Sequence, residues 1–187
     1  MFSPGQIRDL IDGRPIVDGF AYGKSDEAAV DALHRNVCRA IERQTSTLSR
    51  IVWDDYGSGY ASFVDAWFYR EESGWAGPAI SGAQSWQGLA VLLSRLSPYF
   101  VFLEGHKSWD ERGGSSYMPS FGDIDRLSSP AVAALAGQVQ AVLEQHGLIR
   151  LHATDLSAPL DPSIRVPSLF SAPGTYLEYD ALFYWED

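Results

Sequence analysis

The sequence predicts a single α+β domain, with an aromatic-rich mixed or antiparallel sheet and about three helices packed against it. Three observations predict it. Some segments repeat apolar residues at helical spacing, others are dense in aromatic and β-branched residues, and the two kinds follow one another without the regular alternation of a parallel α/β sheet. The 187 residues suit one domain and are too few for two sizeable ones. Residues 1–24 read as an irregular lead-in, because Gly13, Pro15 and Gly19 leave room for no more than a short strand.

The first predicted helix covers residues 25–44. Ser25 is its N-cap, Asp26 and Glu27 complement the helix dipole, and Val30, Leu33, Val37, Ala40 and Ile41 form its apolar stripe. Arg35, Arg39 and Arg43 line a solvated face. Residues 49–54 and 60–69 then read as two strands of a hairpin, joined by Asp55, Tyr56, Gly57, Ser58 and Gly59 as turn chemistry. Residues 71–82 form a loop. A second helix is expected over residues 84–96, with Trp86, Leu89, Ala90, Leu93 and Leu96 on its apolar side and Pro98 to stop it. Residues 99–104 are a buried strand, and residues 105–122 are expected to be a long irregular loop. The third helix starts at Ser129 and Pro130 and ends at Gly147, placed for a left-handed cap. A strand over residues 148–152, a proline-punctuated connection and an aromatic strand over residues 176–185 complete the chain.

Composition narrows the function. The formal charge is −10, from 24 acids against 14 bases, which repels nucleic acid and anionic lipid and attracts basic partners. The one cysteine, Cys38, excludes an internal disulfide and a multi-cysteine zinc site. No apolar run approaches the ~20 residues that span a bilayer, and the N-terminus carries no secretory signal, so a cytoplasmic protein is expected. Aromatic residues make up 13% of the chain, which is hard to bury whole in a domain this small, so some are expected at the surface as protein-binding anchors.

Several constellations carry residue types suited to chemistry. His34 and Cys38 stand at i, i+4 like a nucleophile and its base, but no orienting acid or oxyanion turn accompanies them. Glu104, His106, Asp123 and Asp125 offer oxygen and nitrogen ligands or paired carboxylates for a metal-assisted or acid/base hydrolase, with a spacing that matches no known metal loop. His152, Asp155 and Ser157 supply the letters of a triad without a nucleophile elbow. Gly57, Ser58 and Gly59 lack the lysine and helix start of a phosphate cradle, and Asp54 and Asp55 would repel phosphate. No cofactor or metal is implied.

The most informative pattern is acid beside aromatic. Trp53, Asp54, Asp55 and Tyr56 show it on a predicted turn, and Trp109, Asp110 and Glu111 repeat it in the long loop. Trp75 with Glu71 and Glu72, and the C-terminal Tyr184, Trp185, Glu186 and Asp187, add two more instances. Aromatics supply desolvated anchors and acids steer toward a basic partner. Each Trp equally reads as a core residue whose neighbouring acid points to water.

With its single-domain size, its acidity and the segments Val52-Trp53-Asp54-Asp55-Tyr56-Gly57, Phe121-Gly122-Asp123-Ile124-Asp125 and Leu182-Phe183-Tyr184-Trp185-Glu186-Asp187, the chain resembles bacterial immunity proteins of polymorphic-toxin systems, and among them the immunity protein 52 family. The resemblance implies a non-enzymatic protein that binds and neutralises a cognate toxin, a nuclease of the restriction-endonuclease-like kind delivered by type VI secretion. Trp53, Asp54, Asp55, Tyr56, Trp109, Asp110 and Glu111, read from the residues themselves, are the expected contacts.

Overall fold

Strand pairing organises the molecule. In the computed structural model, which describes residues 2–19, 21–23, 27–57, 59–79, 83–110, 113–169 and 171–186, a six-stranded sheet runs in the order β1 (Leu48–Val52), β3 (Phe63–Tyr69), β4 (Ser85–Ser94), β5 (Tyr99–Asp110), β6 (Gly113–Ser116). These neighbours are all antiparallel, and the short β7 (Ile149–Arg150) adds in parallel to the start of β5. Between β1 and β3, the two-residue β2 (Tyr60–Ala61) turns aside to pair with β8 (Trp185–Glu186). The α+β reading therefore holds, and so does the first hairpin, although Ser62 splits its second strand. The Ser62 hydroxyl donates to Leu182 O at 2.9 Å and accepts from Tyr184 N, tying the split to the C-terminal segment.

Two of the predicted helices form as expected. These are α2 (Glu27–Thr45), with Val30, Val37, Ala40 and Ile41 buried, and α3 (Pro130–Gln145), followed by Gly147 at φ 79°. The predicted cap Ser25 and its neighbour Asp26 lie outside the described residues. At α3 the Ser129 side chain makes no capping bond; instead the Glu104 carboxylate accepts the Ser129 N–H at 2.9 Å and the Ser128 hydroxyl at 3.0 Å, a negative charge where the dipole favours it.

Four segments depart from expectation. Residues 85–94 form the central strand β4, because Leu89, Ala90, Val91, Leu92 and Leu93 are all buried between β3 and β5; a run apolar on both faces carries no periodicity to separate strand from helix. The predicted loop after residue 104 is instead the second half of β5 and a hairpin to β6, with Lys107 opposite Ser116 and Trp109 opposite Gly114. The C-terminal aromatic stretch contains a helix, α5 (Glu178–Leu182), whose Asp180 carboxylate accepts the Leu177 N–H at 2.7 Å. The lead-in holds α1 (Pro4–Ile11), closed by a capping box between Ser3 and Gln6, with Ile7 and Leu10 buried. A single turn, α4 (Ala153–Leu156), follows β7.

The sheet has two unlike faces. On one, Val64, Ala66, Phe68, Leu89, Val91, Leu93, Phe100 and Phe102 meet α2 and α3. On the other, β3 presents Phe63, Asp65, Trp67 and Tyr69, and at the Trp67–Tyr69 end the neighbouring strands carry the small residues Ala90, Gly88 and Gly105. Trp67 needs that smallness. Its indole Nε1 donates to Gly105 O at 3.1 Å, and a Cβ at position 88 would lie 2.5 Å from the ring. No helix among the described residues is long and apolar enough to cross a membrane.

Candidate functional site

The face opposite α2 and α3 is covered unevenly, and the degree of cover divides it into three zones. At the Phe63 end the C-terminal segment closes it: Phe183 packs edge-on against Phe63 at 6.1 Å, and Tyr179 lies 5.7 Å from Phe183. This zone is core.

The middle zone holds a buried carboxylate. Asp65 is 1% exposed and accepts hydrogen bonds from the Tyr56 hydroxyl on Oδ2, at 3.1 Å, and from the Tyr117 hydroxyl on Oδ1. Lys107, itself 8% exposed, places its ammonium 5.0 Å from the Tyr117 ring centroid and 5.8 Å from that of Trp67. Burial raises the Asp65 carboxyl's pKa and lowers that of the Lys107 ammonium, while their mutual attraction and the two phenol bonds work the other way. The Tyr179 hydroxyl, fully buried nearby, has no hydrogen-bond partner among the described residues.

The far zone is the least covered. Trp67 stacks on Tyr69 at 4.5 Å, Trp109 meets Tyr69 edge-on at 5.5 Å, and half-buried Trp86 lies 6.5 Å from Tyr69. The exposed Arg50 lays its guanidinium 3.7 Å from the Trp109 ring centroid. Arg50 on β1 is in register with Leu103 of β5, three strand spacings or about 14 Å away in a flat sheet, and Trp109 lies six residues further along β5. Their contact shows that the sheet curls and that the projecting β5–β6 hairpin folds over Tyr69. Leu48, 48% exposed on the same face, sits opposite Tyr69, whose hydroxyl donates to Glu71 at 3.3 Å. An aliphatic side chain, two half-buried indoles and an arginine thus share one end of the sheet with the exposed acids Glu71 and Glu72.

The expected contact residues separate under this geometry. Asp54 is exposed. Asp55 is half-buried and engaged internally, accepting the Ala61 N–H at 3.0 Å and facing Arg95 at 3.6 Å. Trp53 is half-buried under the Arg35 guanidinium, 4.2 Å from its ring, and its carbonyl accepts from Arg95 at 3.1 Å. Tyr56 turns inward, its ring 5.0 Å from Trp185 and its hydroxyl on Asp65. Trp109 belongs to the far zone. Asp110 pairs by its backbone with Gly113, its side chain lies outside the described residues, and so does Glu111. The aromatics expected at the surface are at best half-buried among the described residues: Trp53, Trp86, Trp109 and Trp185 are half-buried, Trp67 and Trp75 are buried, and the exposed large apolar side chains are Leu48, Met118, Ile149 and Leu169. Both faces of the sheet take up rings: Phe68, Phe100 and Phe102 on the helix-covered face, and Phe63, Trp67 and Tyr69 on the other. Sequence reasoning missed Arg50, Tyr69, Trp86 and Leu48 as one group, since only the curl brings them together.

The residues weighed for hydrolysis have separate structural partners. Glu104 caps α3, His106 meets Gln87 at 3.4 Å, and Asp123 accepts from Ser120 at 2.6 Å. Asp125 binds Arg150 at 2.6 Å and the Ala153 N–H at 3.0 Å. His152 faces Asp125 at 3.2 Å, while the Ser157 hydroxyl donates to Thr154 O. Burial pushes the Cys38 thiol up to about 12 and holds His34 down at about 3, with the His34 ring bonded to Tyr22 at 3.1 Å, so both side chains are part of the packing under α2. Ser58, of the rejected phosphate cradle, lies outside the described residues. No group of three or more His, Cys, Asp or Glu among the described residues converges to hold a metal. Comparison with protein-family models, with curated proteins and with solved structures finds no match to this chain.

Proposed function

We propose that this chain is an immunity protein that binds a basic bacterial toxin stoichiometrically, in the cytoplasm, and neutralises it without chemistry of its own. The toxin class that fits is a secreted nuclease effector of a type VI system, whose polyanion-binding cleft is basic and complementary to a chain of charge −10. One observation carries the reading. The far end of the curled sheet groups Leu48, Arg50, Trp86 and Trp109 beside Glu71 and Glu72, the mixture of rigid aromatic anchors, arginine and acidic rim that protein interfaces favour. The resemblance of the whole chain to immunity proteins supports the same class, and the buried, unpaired Cys38 is in keeping with a reducing compartment.

The test is capture from the native host with the tagged chain, followed by mass spectrometry and stoichiometry of the eluate. The expected result is one partner at a fixed ratio carrying a basic nuclease-like domain, lost in Trp109→Ala and in Leu48→Glu. A partner retained undiminished by both variants would move the interface elsewhere. A host shown to express its toxins that yields no partner at low salt would sink the binding reading.

A further inference from the structure

Asp65 stands between the turn at Tyr56, which the acid–aromatic pattern singles out, and the chain leaving β6 at Tyr117, and it holds both. The turn after β1 is in an unfavourable backbone conformation: Asp55, Tyr56 and Gly57 have φ of 52°, 60° and 89°, three successive residues in the left-handed region, of which only the last is glycine. Such a conformation persists only where its surroundings over-determine it. Here Asp55 is fixed by Ala61 N and Arg95, and Tyr56 by its hydroxyl on Asp65 Oδ2. From the other side, the chain leaving β6 carries Tyr117, whose N–H donates to His106 O at 3.0 Å and whose ring lies directly over Gly105. Its hydroxyl takes the second oxygen, Oδ1. The two phenols therefore share one buried carboxylate, although their segments are about 60 residues apart and meet no common strand edge.

We propose that Asp65 is a positioning residue that couples the turn at residues 53–61 to the β5–β6 hairpin and residues 113–118, so that displacing either segment loosens the other. A carboxylate with two phenol donors on opposite oxygens in a buried site is a coupled network, and loss of one donor reorients the acceptor that the other relies on. Lys107 lies on the same face with its ammonium against the Tyr117 and Trp67 rings, and its charge attracts the carboxylate. For the binding function proposed above, a toxin that seats on the Trp109 end would then also set the Asp54 turn. That use of the coupling rests on the binding reading; the coupling itself does not.

The experiment is hydrogen–deuterium exchange of the free full chain, comparing wild type with Tyr56→Phe, Tyr117→Phe and Asp65→Asn, with the α3 peptides as the measure of global stability. Phenylalanine keeps each ring and removes only the hydroxyl. The expected result is that Tyr117→Phe speeds exchange at least fivefold in residues 53–61 as well as in 113–118, that Tyr56→Phe does the reciprocal, and that α3 is unchanged. Asp65→Asn should loosen both segments at once. If each Phe variant loosens only its own segment, the coupling is absent and Asp65 is an ordinary buried acceptor. Should Asp65→Asn fail to fold, the two Phe variants still decide the matter. Coupling observed with no partner captured from the host would leave the device standing and remove the immunity reading, and the converse result would do the opposite.

Discussion

At the scale of residues, neighbours of the same type do different work. Asp54 and Asp55 are adjacent acids on one turn, yet Asp54 is exposed while Asp55 holds the Ala61 N–H and faces an Arg95 that is only 16% exposed and also pairs with Asp31 at 2.8 Å. A charge reversal of both would confuse steering with folding. Asp54→Lys should leave stability within about 0.5 kcal/mol, as exposed substitutions do, and slow association with a basic partner. Asp55→Lys should cost about 1–3 kcal/mol, because it leaves a half-buried donor unpaired and sets a second cation against Arg95. Denaturant melts of the two single variants, read beside association rates, separate the effects; equal stability losses would refute the distinction.

Elements show where the sequence was legible. Helices α2 and α3 carry one apolar stripe each with polar residues opposite, Arg35, Arg39 and Arg43 on α2 and Gln138, Glu144 and Gln145 on α3, so their period identifies them. Strand β4 has no such contrast, because Leu89 to Leu93 are apolar whichever face they occupy, and only pairing on both sides makes the segment a strand. The reverse error occurs at α5, where Tyr179, Leu182 and Phe183 suggest a strand but one buried helical turn presents all three to the core. The aromatic–acid pattern singles out the turn at Trp53–Tyr56 and the segment at Trp109, yet it does not tell that Tyr56 faces inward or that Arg50 arrives from β1. Those facts depend on tertiary packing, in which two glycines of β4 and β5 leave room for the Trp67 and Tyr117 rings. At Gly105 an added Cβ would sit 2.2 Å from the Tyr117 ring. Gly105→Ala should therefore destabilise by about 1–3 kcal/mol through overpacking, and most of that cost should vanish in a Tyr117→Ala background. A thermal or denaturant double-mutant cycle reads it; a cost independent of Tyr117 would mean that strand backbone, not ring packing, sets the need for glycine.

For the whole molecule, acidity and the aromatic end act on different parts of a binding reaction. The charge of −10 is spread over the chain, so its field acts at a distance and governs encounter. In the proposed complex, Trp86, Trp109 and Leu48 would act only on contact and so govern how long it lasts. Raising ionic strength from about 10 mM to about 150 mM shortens the Debye length from about 30 Å to about 8 Å. Association with a captured basic partner should then slow by at least about tenfold, with dissociation nearly unchanged. Trp109→Ala should show the opposite signature, faster dissociation at an almost constant association rate. Surface plasmon resonance across a salt series measures both rates at once. A salt-insensitive association rate would separate the acidity from recognition altogether, and leave the curled, aromatic end of the sheet as the feature on which a partner's identity turns.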